Sequence, residues 1–333
     1  MNRRRLLGLA ACAPWLLRDA HAQGSRPVPR VGVLAPVAPD VVTENPNSTL
    51  PGFLAGMRER GYVAGTNVVI DIRYAEHRND RLPALAAELV ASSPDVIYTW
   101  TNDGASAAAG ATRKIPIVVG ASSERSIVRI VTNFARPEGN VTGLVLYFQE
   151  QEAKQIELLK ESAPKAARVA VLANPANAGF RDHPAVLAPA ARKLGFVLVR
   201  FEARDPSELG RAFEQIVASR MDAVIALDDA TMLGQPEPRR AIAALALRHR
   251  LPSVSGHRGY AAAGGLIALG IDTADVGRRA AGYVDRILRG ARPIDLPIER
   301  PTKLVLSVNL ATARQIGVSF PQSLLVRADE VIE

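Results

Sequence analysis

The sequence is poor in the residues on which several kinds of chemistry depend. It has a single cysteine, Cys12, and only 5% of its 333 residues are aromatic. One cysteine excludes an internal disulfide and any cluster of thiolate metal ligands. The hydrophobic share of 48% is nevertheless ample for a buried core, and the length allows two lobes of ordinary domain size. The composition therefore predicts a folded, two-lobed protein and excludes a disordered one.

The sequence also lacks a concentrated run of charge. Lys and Arg number 41 against 33 Asp and Glu, which gives a formal net charge of +8. Residues 1–22 contribute +3 of this, so the remainder of the chain carries +5 in scattered positions. Scattered charge is typical of a solvated surface, and we expect no nucleic-acid partner.

The first residues have the pattern of an export signal. Met1 to Arg5 is basic, Leu6 to Leu17 is mostly apolar, and Ala20-His21-Ala22 fits the small-x-small cleavage pattern. So short an apolar stretch cannot span about 30 Å of hydrocarbon. We therefore expect a signal peptide over residues 1–22 and a periplasmic protein. A lipoprotein anchored at Cys12 is the alternative, and the route, general or twin-arginine, stays open.

From Val31 onward, short runs rich in Val and Ile alternate with longer segments of helical period. This alternation is typical of parallel sheets covered by helices. The predicted strands of a first set are Val31 to Ala35, Val68 to Ile72, Val96 to Trp100 and Ile117 to Val119. Those of a second set are Val169 to Ala173, Val197 to Phe201, Ala223 to Leu227, Ser253 to Ser255 and Leu266 to Leu269.

The two sets repeat one another in order. Asp95 precedes the third strand of the first set as Asp222 does in the second, and Pro116 opens the fourth strand as Pro252 does. The repeat predicts two similar α/β lobes. Because parallel sheets form a crevice at the carboxyl ends of their strands, a small molecule is expected to bind between the lobes.

No catalytic constellation is visible. The stretch nearest to a Gly-x-Ser-x-Gly nucleophile elbow runs from Gly120 to Glu124 and lacks the second glycine. The histidines beyond the leader lack the spacing of helix-borne metal ligands, and no glycine-rich phosphate loop is present. Asp228 and Asp229 are neighbours, so at most one faces the cleft. We expect no cofactor, no metal and no enzymatic activity; an exported protein of this kind captures a solute.

Two stretches resemble a known family. They are Gly139-Asn140-Val141-Thr142-Gly143 and the closing run from Pro301-Thr302-Lys303 through Ser323 to Ile332. Both are similar to the ABC-transporter substrate-binding proteins related to tryptophan-uptake binding proteins. The resemblance implies a type I periplasmic-binding-protein fold, with two Rossmann-like parallel-sheet lobes joined by a hinge of three crossovers. It implies a first lobe of residues 28–143 plus 272–300 and a second of 144–271 plus 301–333. The crossovers are expected near Val141 to Leu146, Leu266 to Gly270 and Lys303 to Asn309.

The resemblance also implies that the ligand contacts lie in the loops after the strands. In the first lobe these are Ala35, Pro36, Trp100, Thr101, Asn102, Ser106, Ser122 and Ser123. In the second lobe they are Tyr147, Asn174, Asp228 or Asp229, Ser255 and His257.

Several of these positions have a structural alternative. Trp100 either stacks on a ligand ring or fills the core. Thr101, Asn102 and Ser106 either donate to an anion or cap the helix that begins near Gly104. An acid facing the cleft would suit an ammonium group. This chain departs from the family's common loop sequences in the loops that contain Asp103 and Glu124. These two carboxylates either line the pocket or lie exposed.

We expect a solute-binding protein of an ABC uptake system that delivers a small polar or amino-acid-like ligand to a permease. The permease and the ATPase would be separate chains, membrane contact would occur only through the permease, and the chain would be a monomer. A ligand-sensing module for a receptor is one alternative, and a secreted enzyme using Ser122, His257 and Asp229 is another. A repressor-like effector domain would need an N-terminal helix-turn-helix where this chain has its leader.

Overall fold

The computed structural model describes residues 28–44, 48–146, 148–175, 183–229, 232–301 and 303–333. The expected signal peptide and Tyr147 lie outside these residues. Within the described ranges, no helix combines the length and the apolar character that a membrane crossing requires.

A five-stranded parallel sheet organises the first lobe. Its order is β2-β1-β3-β4-β5, with the central strand β3 fully buried and β2 half-buried at the edge. The strands are β1 Arg30–Ala35, β2 Val69–Tyr74, β3 Val96–Thr99, β4 Ile117–Ser123 and β5 Val141–Leu146.

A seven-stranded sheet organises the second lobe, in the order β12-β11-β10-β9-β8-β6-β7. All its neighbours pair in parallel except β10 and β11, which are antiparallel. The strands are β6 Arg168–Ala173, β7 Val197–Glu202, β8 Ala223–Ala226, β9 Ser253–Ser255, β10 Ile267–Ile271, β11 Leu304–Asn309 and β12 Glu330–Ile332.

Helices cover both sheets. In chain order they are α1 Val41–Glu44, α2 Thr49–Glu59, α3 Leu82–Ala91, α4 Asn102–Ala111, α5 Glu124–Ile127, α6 Phe148–Ser162, α7 His183–Lys193, α8 Leu209–Ala218, α9 Pro236–Arg248, α10 Thr273–Leu288, α11 Leu310–Ile316 and α12 Gln322–Arg327. After β10 the chain returns to the first lobe, where α10 packs closely on α2. A Cβ atom on Gly52 would overlap the backbone oxygen of Ala274, and one on Gly56 would lie 2.7 Å from the Cα of Arg278.

The repeat seen in the sequence has a physical basis in both lobes. The carboxylate of Asp95 accepts a hydrogen bond from the backbone N–H of Arg30 at 2.7 Å, where β1 begins. The carboxylate of Asp222 accepts from the backbone N–H groups of Ala167 and Arg168 at 2.9 and 2.8 Å, where β6 begins. The same residue type thus ties the third strand to the first in each sheet.

The sequence-based strand sets are incomplete. They omit β5, β11 and β12, and two of these lie in the segments that were expected as crossovers, Val141 to Leu146 and Lys303 to Asn309. Both segments are strands because each pairs with a sheet: β5 forms an edge of the first sheet, and β11 lies between β10 and β12 in the second. The third predicted strand is also one residue too long, because β3 ends at Thr99 and Trp100 lies beyond it.

Candidate functional site

The carboxyl ends of β3 and β4 carry a hydrogen-bonded polar network around Asn102, the first residue of α4. Its Oδ1 accepts from the hydroxyl of Ser122 at 2.9 Å, and from the backbone N–H and hydroxyl of Ser123 at 2.8 and 3.1 Å. The Ser123 hydroxyl also lies 2.9 Å from that of Ser126. The Asn102 Nδ2 amide makes no hydrogen bond within the described residues, so it is an available donor beside three hydroxyl groups.

The turn that leads into α4 is strained. Thr101 has φ 69° and ψ 161°, a conformation that is almost confined to glycine. Its hydroxyl oxygen accepts weakly from the backbone N–H of Gly104 at 3.3 Å, while the exposed Ser106 hydroxyl donates to the backbone oxygen of Asn102 at 2.9 Å. Thr101 and Ser106 therefore serve the helix start, and strain of this kind is common at ligand sites.

Trp100 belongs to the core of the first lobe. Its side chain is 6% exposed, and its ring lies 5.6 Å from that of Tyr98, which stacks on Phe53 at 4.0 Å. Burial raises the pKa of Tyr98 far above its usual value. Ala35 and Pro36, at the end of β1, are also buried. This arrangement favours the core alternative for Trp100 over ring stacking.

On the second lobe, Asp228 lies just past β8 and is partly buried. A Cβ atom on Gly256 would lie 3.2 Å from the Cβ of Asp228 and 2.7 Å from Nε2 of Gln151, so these three residues are packed together. The Gln151 Nε2 donates to the backbone oxygen of Leu269 at 2.9 Å. Its Oε1 is buried without a hydrogen bond, and Asp228 has no hydrogen bond or ion pair in the part of the chain that is described. Two residues with an unpartnered acceptor therefore pack around Gly256.

The charge of Asp228 is held in an unfavourable setting. Burial, assisted by the nearby charge of Asp229, raises the pKa of Asp228 to about 7, and the attraction of Arg239 opposes this only partly. The Arg239 guanidinium donates to the backbone oxygen of Leu233 at 2.8 Å, and its buried Nε has no partner. The Asp228 carboxyl group and the Arg239 guanidinium therefore lie in the same site without forming a direct ion pair.

His257 lies against the same guanidinium. The Nη1 of Arg239 is 3.3 Å from Nε2 and 3.4 Å from Nδ1 of the imidazole. Burial, followed by the charge of Arg239, lowers the pKa of His257 to about 3, so the ring is neutral at physiological pH. The backbone N–H of Gly259 donates to Nδ1 at 3.1 Å, which assigns the ring proton to Nε2. The Ser255 hydroxyl oxygen accepts from the backbone N–H of His257 at 3.2 Å.

Asp229 is turned away from Asp228 and holds a turn together. It is 5% exposed, and its Oδ1 accepts from the Asn174 side-chain amide and from the backbone N–H of Met232, both at 3.2 Å. Of the two neighbouring acids, Asp228 is thus the one that is available to a ligand. Asp103 and Glu124 have surface partners, since Asp103 accepts from Asn79 and Glu124 pairs with Arg300.

The sequence reasoning missed Gln151, Gln155 and Arg239. The two glutamines lie four residues apart on the buried face of α6, and both donate to the backbone oxygen of Leu269. Buried amides at that spacing on an amphipathic helix were a usable signal. Arg239 offered none, because it is one of two consecutive arginines on α9 and only the fold turns it inward. Among the described residues, no group of three or more His, Cys, Asp or Glu side chains is placed to hold a metal.

Comparison with known proteins gives consistent results. The family model described as ABC transporter substrate binding protein matches residues 30–332. A curated relative, the tyrosine-binding protein of Clostridioides difficile strain R20291, is 24% identical over 267 residues, which cover 80% of this chain and 76% of the relative.

Two solved structures share the fold. A conserved domain protein from Vibrio cholerae O1 biovar El Tor has a TM-score of 0.81 and 28% identity, over 91% of this chain and 99% of its own. A Streptococcus pneumoniae ABC domain in complex with L-Trp has a TM-score of 0.79 and 23% identity, with the same coverage. These likenesses confirm the two-lobed α/β architecture of the type I periplasmic-binding-protein fold.

Proposed function

Because the chain belongs to the family of ABC transporter substrate binding proteins, we propose that it captures an amino-acid-like solute between its lobes and delivers it to a permease. The observation that carries this proposal is the pair of unpartnered acceptors on the second lobe, the Asp228 carboxylate and Oε1 of Gln151. A carboxylate and an amide oxygen from residues that pack around the same glycine are suitable partners for an ammonium group. No bond of the solute is made or broken.

The first lobe supplies the complementary chemistry. The hydroxyls of Ser122 and Ser123 hold Oδ1 of Asn102 at the carboxyl ends of β3 and β4. The Nδ2 of the same amide is left as the donor that would meet a solute carboxylate. Relatives support an α-amino acid, since one carries the name tyrosine-binding protein and another was solved with L-Trp. Of the other sequence-predicted positions, Tyr147 and His257 complete the proposed binding surface.

Transport would follow from closure of the lobes. The solute must bind the closed form better than the open form, because only then does it shift the population. In this proposal the lobes divide as the sequence predicts, into 28–143 plus 272–300 and 144–271 plus 301–333. The protein would act as a periplasmic monomer after removal of residues 1–22, with the permease and the ATPase on separate chains.

A thermal-shift screen of the twenty amino acids, followed by calorimetric titration, tests the proposal. A ligand present at about 100 times its Kd should add about 2.7 kcal/mol to the free energy of unfolding. Asp228→Asn should weaken that ligand at least tenfold, because an ammonium loses its ionised partner. Glu214→Gln, which removes an exposed carboxylate from α8, is the matched control and should leave the affinity unchanged. Equal affinity in both variants, or recovery of a chemically altered solute, would refute the proposal.

A further inference from the structure

A second cavity lies at the end of the first lobe opposite the cleft. It is an open depression of about 1090 Å³, at the upper end of the volumes of small-molecule sites. Its wall includes the residues that immediately precede β1, β3, β4 and β5, so it lies at the amino ends of the strands. We call it the pole cavity; its charged lining residues are Arg60, Asp95, Arg113, Lys114, Arg289 and Arg292.

The pole cavity keeps an excess of positive charge. Arg289 pairs with Asp285 at 2.8 Å and Arg292 with Asp295 at 2.9 Å, and these acids lie outside the lining. The acid that does line the cavity, Asp95, accepts from the backbone at the start of β1. The other three cations, Arg60, Arg113 and Lys114, have no acidic partner within the described ranges.

The loop that carries two of these cations is clamped in place. The buried Asn140 side chain donates to the backbone oxygens of Thr112 and Ile115 at 3.1 and 2.7 Å, on either side of Arg113 and Lys114. The Thr112 hydroxyl oxygen accepts from the backbone N–H groups of Lys114 and Ile115 at 3.1 and 3.2 Å. The backbone of this loop is therefore fixed, so that binding needs to order only the exposed side chains of Arg113 and Lys114.

Arg60 is positioned from the opposite wall. Its Nη1 donates to the backbone oxygen of Gly56 at 2.9 Å, and its guanidinium rests where a Cβ on Gly282 would lie 3.0 Å from Nη2. The cavity therefore offers the guanidinium groups of Arg60 and Arg113 and the ammonium of Lys114, from two separate segments of the chain. Guanidinium forks and a lysine are the usual partners of phosphate oxygens.

We propose that the pole cavity is a second binding site, for an anion that carries phosphate groups. A phosphate monoester bears about −1.5 to −2 charges at pH 7 in a small volume, which matches the three unneutralised cations better than a single carboxylate does. The site is independent of the cleft and of the function proposed for it. A free organic phosphate and a phospholipid whose headgroup is a phosphate monoester, phosphatidic acid, both present this chemistry.

Calorimetric titration of the mature chain with pyrophosphate at low salt tests the free form, and flotation with phosphatidic acid vesicles, against phosphatidylcholine vesicles, tests the headgroup form. The double variant Arg113→Ala, Lys114→Ala should weaken binding at least tenfold while leaving the affinity for the cleft ligand unchanged. The charge-matched control is Lys165→Ala, Arg211→Ala, which removes two exposed cations from the second lobe and should retain full binding.

Saturable pyrophosphate binding would identify a free phosphate as the occupant, and binding to anionic vesicles alone would identify a headgroup. Binding to neither probe would overturn the proposal. An equal loss in the control variant would overturn it too, because binding would then depend only on the overall charge of the protein.

Discussion

The substitution Asp228→Asn should stabilise the unliganded protein at neutral and alkaline pH while it weakens ligand binding. Burial and the charge of Asp229 raise the pKa of Asp228 from 3.8 to about 7. The folded state therefore holds the proton of Asp228 more tightly than the unfolded state does. As the pH rises from about 4 to about 7, this group lowers the free energy of unfolding, and Asn removes that effect.

The size of the effect follows from the shift. Each pKa unit corresponds to about 1.4 kcal/mol, so a shift from 3.8 to about 7 gives an upper limit of about 4 kcal/mol. Because the carboxylate is only partly buried, solvent reduces this, and we expect about 2 kcal/mol. His257 acts in the opposite direction: its pKa is lowered to about 3, so its contribution is lost as the pH falls below 6.5. The wild-type profile alone therefore mixes two effects.

The variant pair separates them, because His257 is common to both proteins. The assay is urea unfolding of wild type and Asp228→Asn at pH 4 and pH 8, followed by the fluorescence of the buried Trp100. The stability of the variant relative to wild type should rise between these two pH values, and Glu214→Gln should show no such rise. A difference that is constant with pH would mean that Asp228 is not held in an unfavourable setting, and the electrostatic argument for the site would be wrong.

Two further predictions concern the backbone. Thr101→Gly should raise the free energy of unfolding by about 1 kcal/mol, because relief of a positive φ outweighs the loss of the long capping hydrogen bond from Gly104. Urea unfolding measures the change, and a destabilised variant would show that the turn is unstrained. Gly52→Ala should cost about 2 kcal/mol, because its Cβ would overlap Ala274. Gly110→Ala, where the new Cβ meets open space on α4, should be neutral or stabilising, and equal melting temperatures in this pair would contradict the close packing of α2 on α10.

The parts of the fold that depend on local pattern were predictable. Most strands of both sheets are runs of Val and Ile buried on two faces, and that pattern is visible in any short window. The paired positions of Asp95 and Asp222 were informative because each carboxylate satisfies backbone donors at the start of a neighbouring strand. β11 and β12 were missed because their pairing depends on the last return of the chain to the second lobe.

The site was predictable only where it follows the strands. Asn102, Ser122 and Asp228 lie at strand ends, and parallel topology brings such ends to one edge. Gln151 comes from a helix that packs across β9 and β10, and Arg239 is turned inward by the fold of α9. A side chain that reaches the site only through the packing of its helix gives no recognisable spacing in the sequence. Gln151 and Arg239 were therefore absent from the prediction.

The unfavourable setting of Asp228 and the proposed binding of an ammonium group are two aspects of one arrangement. A buried acceptor without a donor costs about 1 to 3 kcal/mol, and the free protein carries one in Oε1 of Gln151. The neighbouring, partly buried Asp228 has its charged form disfavoured as well. A cationic group that enters between the lobes supplies the missing donors and favours the ionised form of Asp228. The same contact therefore removes an energetic cost of the unliganded protein and stabilises the closed form. The affinity for the ligand should rise with pH up to about 7, because the proton that competes for this carboxylate is lost over that range.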